Sequence, residues 1–143
     1  MIKRFPGPVV KSKDSQKVRA GIFTSGEILT DYKAAFLAEQ ALIVKTSKGL
    51  VILTGCAHPG IVRIVKHVKQ QFPRTPIHLV AGGFHLMNAD KRMVSVIADE
   101  LMRLGVKKVG PTHCTGDDAE KIFQEKFGKA FVKIRVGTLL PTP

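Results

Sequence analysis

The sequence has two cysteines, one tyrosine and no tryptophan among 143 residues, and only 11 acidic residues against 23 basic ones. Two cysteines, Cys56 and Cys114, are too few for a disulfide framework, so a reducing, cytoplasmic setting is expected. No apolar run approaches the ~20 residues that span a bilayer, so no membrane partner is expected. Met1 to Gly7 carries Lys3 and Arg4 without an apolar segment behind them, which does not read as a signal peptide. Zinc-finger spacing, RNA-binding aromatic motifs and runs of five or more Lys/Arg are all missing. Nucleic acid is therefore the least favoured partner for so basic a chain.

What is present is ample for a packed core: 44% of the residues are hydrophobic, which excludes an intrinsically disordered chain. A chain of this length suits one domain and buries about two-thirds of its unfolded surface. The net charge of +12 has three readings. Lysines such as Lys66, Lys69, Lys107 and Lys108 decorate solvent faces and lack an acidic partner; a small anionic substrate comes second, nucleic acid third.

Residues 1–17, basic and interrupted by Pro6 and Pro8, read as an N-terminal arm, and residues 18–143 as a single α/β domain. Val18 to Phe23 reads as a short strand and Thr24-Ser25-Gly26-Glu27 as a turn. Ala41–Thr46 and Leu50–Leu53 form a hairpin about Ser47-Lys48-Gly49. The second of these runs is apolar throughout, as in a strand covered on both faces. Pro59 opens a helix with the stripe Ile61, Ile64, Val65, Val68 and Phe72. Ile77–Ala81 is a strand. A helix over Asp90–Leu104 buries Met93, Val94, Ile97, Leu101 and Leu104, and Gly105 ends it. Lys107–Val109 is a short strand. Thr115 and Asp118 resemble a capping box for a third helix, lined by Ala119, Ile122, Phe123 and Phe127. Ala130–Val136 alternates as a final strand. Strands alternating with helices give an α/β class with a partly parallel sheet, and right-handed crossovers put the helices on one face of it. Its other face then needs a cover.

Three histidines share one setting. His58 lies in Gly55-Cys56-Ala57-His58-Pro59-Gly60, His85 in Gly82-Gly83-Phe84-His85-Leu86, and His113 in Pro111-Thr112-His113-Cys114-Thr115-Gly116. Each follows a predicted strand, and functional groups in open α/β sheets gather beyond the carboxyl ends of the strands. If those strands are parallel neighbours, the imidazoles converge as metal donors. A single histidine in a glycine-rich loop is more often a hydrogen-bonded turn residue, but three in register favour a site. Cys56 and Cys114 sit beside them, either as thiolate ligands or as small packed residues. The helix starts at Gly60 and at Thr115-Gly116 offer unpaired N–H groups to a phosphate or carboxylate.

These segments, with Thr24-Ser25-Gly26-Glu27-Ile28, Glu39-Gln40-Ala41-Leu42 and Gly49–Ile61, resemble the C-terminal half of the metallo-β-lactamase superfamily. The nearest branch is the dihydropterin-ribofuranosylaminobenzene 5′-phosphate synthase-like one. The resemblance implies half of an αββα sandwich: one mixed sheet with helices on one face. It implies a divalent metal, zinc ahead of iron or manganese, with His113 as the last ligand histidine. Cys56 stands where many relatives carry a metal-bridging aspartate, His58 is a substitute ligand, and His85 and Cys56 contact metal or substrate. The superfamily's His-x-His-x-Asp-His motif is absent, since no two histidines here are two apart. A chain with only the late loops is expected to hold metal weakly or not at all and to be inactive alone as a hydrolase. The missing half would be replaced by a second copy packed against the exposed sheet face, or would be carried by a separate chain. The substrate class implied is phosphorylated or pterin-like. A non-catalytic dimeric module, or a truncated product without activity, and a basic nucleic-acid-binding protein are the alternatives.

Overall fold

Leu50-Val51-Ile52-Leu53 is apolar at four successive positions, and both faces of that strand are covered. The computed structural model describes residue 7 and residues 9–140. Strands β1 (Lys17–Arg19), β2 (Ile22–Thr24), β5 (Leu42–Thr46), β6 (Gly49–Thr54), β7 (Ile77–Gly83) and β8 (Lys108–Thr112) form one mixed sheet in the order β1-β2-β5-β6-β7-β8. The β5–β6 pair is antiparallel, whereas β6, β7 and β8 run parallel as neighbours. Helices α1 (Ile61–Gln71), α2 (Lys91–Arg103) and α3 (Asp117–Phe127) make the crossovers.

All three helices pack on one face. Ile43, Leu50, Ile52, Ile77, Val80 and Val109 from the sheet join Ile64, Val68, Val94, Leu101 and Phe123 from the helices in a single buried cluster. Alternate residues point the other way, since side chains along a strand alternate between faces. There Val51, Leu79 and Ala81 are buried beneath Val132, Ile134 and Leu140. The expectation of a wholly uncovered second face is corrected: the segment after α3 lies over β6–β8. Gly110 makes this possible, because a Cβ there would collide with Ile134 Cδ1. Over β5 the cover gives out, and Leu42 stays 40% exposed.

Several local expectations change. Val18–Phe23 is a hairpin of β1 and β2, with Gly21 at φ +76° between them. Helix α1 begins at Ile61 with Gly60 as its N-cap, so Pro59 stands in the preceding turn. In α2, Asp90 caps through its carboxylate, which accepts the Met93 N–H at 2.8 Å. Met93 itself is 54% exposed, because Ala98 takes the inward position alongside Val94 and Leu101. The capping box at Thr115 and Asp118 does not form: Gly116 is the N-cap of α3, no side chain bonds there, and Thr115 ends a short 3₁₀ turn, His113–Thr115. Ala130–Val136 is not a strand. It makes one isolated bridge, Phe131 to Val109, and is otherwise an extended cover. Of the proposed basic arm, residues 1–6 and 8 lie outside the described residues.

Residues 28–39, to which the sequence assigned no element, form a separate hairpin of β3 (Ile28–Tyr32) and β4 (Ala35–Glu39). Its two-residue turn, Lys33-Ala34, has positive φ at both positions (49° and 60°). Tight hairpins need such values, and Gly or Asn usually supply them. Among the described residues no helix is long and apolar enough to cross a membrane.

Candidate metal centre

The carboxyl ends of β6, β7 and β8 lie side by side, so the loops carrying His58, His85 and His113 emerge from one rim. The hairpin β3–β4 closes over the same rim. The five described non-glycine residues with positive φ are Lys33, Ala34, Ala57, His85 and His113, and all belong to these loops or to the hairpin turn. Left-handed backbone costs about 1–2 kcal/mol at each such residue and persists where surrounding structure enforces it, often at functional sites.

The donors divide into two groups. In the first, donor atoms of Cys56, His113 and Cys114 all lie within 4.8 Å of one another. Cys56 Sγ stands 3.3 Å from His113 Nε2, and the Cys114 thiol donates to the Cys56 carbonyl oxygen at 3.5 Å. A tetrahedral zinc with ordinary Zn–S and Zn–N bonds sets its donors about 3.5–3.8 Å apart. Cys56, His113 and Cys114, grouped within 4.8 Å, could therefore hold one ion after small side-chain adjustments. Burial, then a hydrogen bond shared with Cys114, then the nearby charges of Cys114 and Glu39 push the Cys56 thiol above its usual range. A divalent cation would reverse that cost by neutralising the crowded thiolates.

The second group comprises Glu39, His58, His85 and Tyr32. Glu39 pairs through one oxygen with His58 Nδ1 and accepts the His58 backbone N–H with the other at 3.0 Å. The ring centroids of Tyr32 and His58 are 4.2 Å apart, those of His58 and His85 4.4 Å, and those of Tyr32 and His85 5.3 Å. His85 Nδ1 is buried with no hydrogen-bond partner among the described residues. Burial and then the neighbouring His58 hold the His85 imidazole below its ordinary value, which favours its neutral form. His58 and His85 thus meet each other, while His113 meets the cysteines.

Thr115 fastens the two rim loops together. It is fully buried, its hydroxyl donates to the Thr112 carbonyl at 2.7 Å, and it accepts the Phe84 N–H at 3.1 Å. That hydroxyl is committed internally. Gly116 begins α3, but the first turn holds Asp117, Asp118 and Glu120, which oppose an anion there; Gly60, at the start of α1, has no acid in the turn after it. The sequence assigned no site role to Glu39 or Tyr32, because their strands are short and half-exposed and the turn between them carries no Gly or Asn. The alternation of outward Leu29 and Asp31 with inward Ile28, Thr30 and Tyr32 is the signal available.

A sheet of this topology, with metal-type donors at the carboxyl rim and helices on one face, defines a metallo-β-lactamase-type fold. In fold and sequence the chain is similar to members of the metallo-β-lactamase superfamily. It is similar, with 28% identity and a TM-score of 0.79 over 96% of its length and 60% of the other chain, to a solved metal-dependent hydrolase of the β-lactamase superfamily. It is 34% identical over 160 aligned positions, 97% of this chain, to the 7,8-dihydropterin-6-methyl-4-(β-D-ribofuranosyl)-aminobenzene-5′-phosphate synthase of Methanocaldococcus jannaschii. An uncharacterized protein of the same organism is 36% identical over 118 positions, 73% of this chain. The chain spans about half the length of these curated relatives, 54% and 44% respectively. No family model matches it.

Proposed function

We propose that this chain supplies the late metal-binding loops of a metallo-β-lactamase-type hydrolase, in which His113, Cys56 and Cys114 hold one divalent ion. The observation that carries this reading is the convergence of those three donors at the carboxyl rim of the parallel strands. Zinc is favoured over iron or manganese, because two thiolates and one imidazole form a soft donor set. When bound, the ion would act as a Lewis acid towards a phosphoryl or carbonyl oxygen. Glu39 fixes the His58 ring through Nδ1, leaving Nε2 to exchange a proton with substrate or to join the metal's ligands. The lone nitrogen of His85 and the ring of Tyr32 extend the site beside it.

The substrate proposed is a small phosphorylated, pterin-like molecule. The similarity to the dihydropterin-ribofuranosylaminobenzene-5′-phosphate synthase of Methanocaldococcus jannaschii supports that class, and a net charge of +12 favours an anion. The expected setting is a reducing cytoplasm, where the thiols stay available. We propose further that a first half, lying outside this chain and supplying further ligands, completes the hydrolytic site. A second copy seated over exposed Leu42, where the cover of the sheet gives out at β5, is the form of partner proposed.

The test is metal content per chain by elemental analysis, with the mass in solution from light scattering in the same run. About one zinc per chain, lost in His113→Ala and in Cys114→Ser, is expected from a dimer. Protein that takes up no zinc or cobalt would overturn the metal reading, and a monomer would overturn the second-copy reading.

A further inference from the structure

The two cysteines of this chain are 58 residues apart in sequence, yet their sulfurs share one cluster within 4.8 Å. Cys56 follows β6 and Cys114 follows β8, with β7 between them. Gly83, the last residue of β7, is what allows the approach. A Cβ there would lie 2.8 Å from Cys114 Sγ and 3.2 Å from Cys56 Cα, and would collide with the Gly55 carbonyl oxygen. Both thiols are free and half-buried, within reach of a small oxidant. No third cysteine competes for either. A disulfide needs sulfurs about 2.05 Å apart. Forming the bond therefore requires the two side chains to turn towards each other on their loops.

We propose that Cys56 and Cys114 are a modification site, forming a reversible disulfide within the chain when a peroxide-class oxidant reaches the rim. The thiolate of one cysteine attacks a peroxide oxygen, the O–O bond breaks, and a sulfenic acid forms with release of hydroxide. The sulfur of the other then displaces the sulfenic oxygen, which leaves as water as the S–S bond forms. In sum, two thiols and one hydrogen peroxide become one disulfide and two waters. His113 Nε2 lies 3.3 Å from Cys56 Sγ, beside the pair. A dithiol reverses the reaction by exchange. The bond stands on the sulfur geometry alone. Its consequence rests on the metal reading: oxidation removes two of three donors, so disulfide and ion exclude each other.

The test treats the reduced, metal-free chain with a small excess of hydrogen peroxide, then counts thiols after denaturation and maps peptides without reduction. The count is expected to fall from two per chain to none. One crosslinked pair containing Cys56 and Cys114 should appear without added oxygen, and dithiothreitol should restore both thiols. Cys114→Ser should instead leave Cys56 oxygenated and uncrosslinked. Persistent thiols, oxygen adducts on uncoupled cysteines in the unmutated chain, or links between chains would each overturn the proposal. Repeating the oxidation after incubation with zinc separates the two readings. Slowed crosslinking supports both, whereas crosslinking at an unchanged rate keeps the disulfide and removes the ion.

Discussion

Glu39, the last residue of β4, holds both the backbone N–H and the ring Nδ1 of His58 in the loop before α1. One carboxylate thereby docks the β3–β4 hairpin onto the rim and fixes the orientation of an imidazole. Glu39→Ala leaves a half-buried N–H and a ring nitrogen without their acceptor, and should cost about 1–3 kcal/mol in denaturant unfolding. Glu39→Gln keeps one acceptor oxygen and should cost less. Equal stability of Glu39→Ala and the unmutated chain would mean that the hairpin is held by other contacts.

Thr115 is the second fastening. Thr115→Val removes a buried hydroxyl that serves both Phe84 and Thr112, and should lower stability by about 1–3 kcal/mol. Thr115→Ser keeps the hydroxyl and should recover most of it. Thermal unfolding of the two variants side by side decides whether the hydroxyl or the methyl group matters.

Gly83 lets the two cysteine loops approach each other by having no side chain. Gly83→Ala puts a methyl group against the Gly55 carbonyl and 2.8 Å from Cys114 Sγ. Overpacking of this kind should destabilise by about 1–3 kcal/mol. It should also weaken zinc uptake by parting Cys56 from Cys114, which competition with a chromogenic chelator would measure.

Stability should fall with pH below the ordinary histidine value. Burial, then the charges of Lys108 and Lys48, lower the His78 pKa from 6.5; burial and then His58 do the same for His85. As pH drops through 6.5, the unfolded chain takes up these protons first, so folding weakens until the lower folded values are reached. Above 6.5 the two groups are neutral in both states and their contribution is fully present. Urea unfolding across that window should show the slope, and His78→Gln should reduce it.

Much of the frame was legible in the chain. Gly49–Thr54, Ile77–Gly83 and the helix stripes of Ile61–Val68 and Val94–Leu101 carry their periodicity in local sequence, because buried faces recur at the spacing of the element that buries them. The three histidine loops were legible for the same reason, as breaks between such elements. Tyr32 and Glu39 were not: their strands are short and half-exposed, and Lys33-Ala34 carries none of the usual hairpin residues. The tail over 131–140 alternates like a strand, yet packs on the second face of the sheet through Val132, Ile134 and Leu140. Alternation records which side chains are buried, not whether the backbone joins a ladder.

The sequence by itself determined the α/β class, the one-sided helix layer and the loops on which donors would stand, since each depends on the order and period of apolar residues. Only the tertiary structure decided which donors meet. His113 is 57 residues from Cys56 along the chain, and nothing local says that it meets Cys56 rather than His58. That choice was made by the register of three parallel strands, the missing side chain at Gly83 and the carboxylate of Glu39, which draws His58 towards the hairpin. Each of these acts through space between segments distant in sequence, where the pattern of any one segment carries no information.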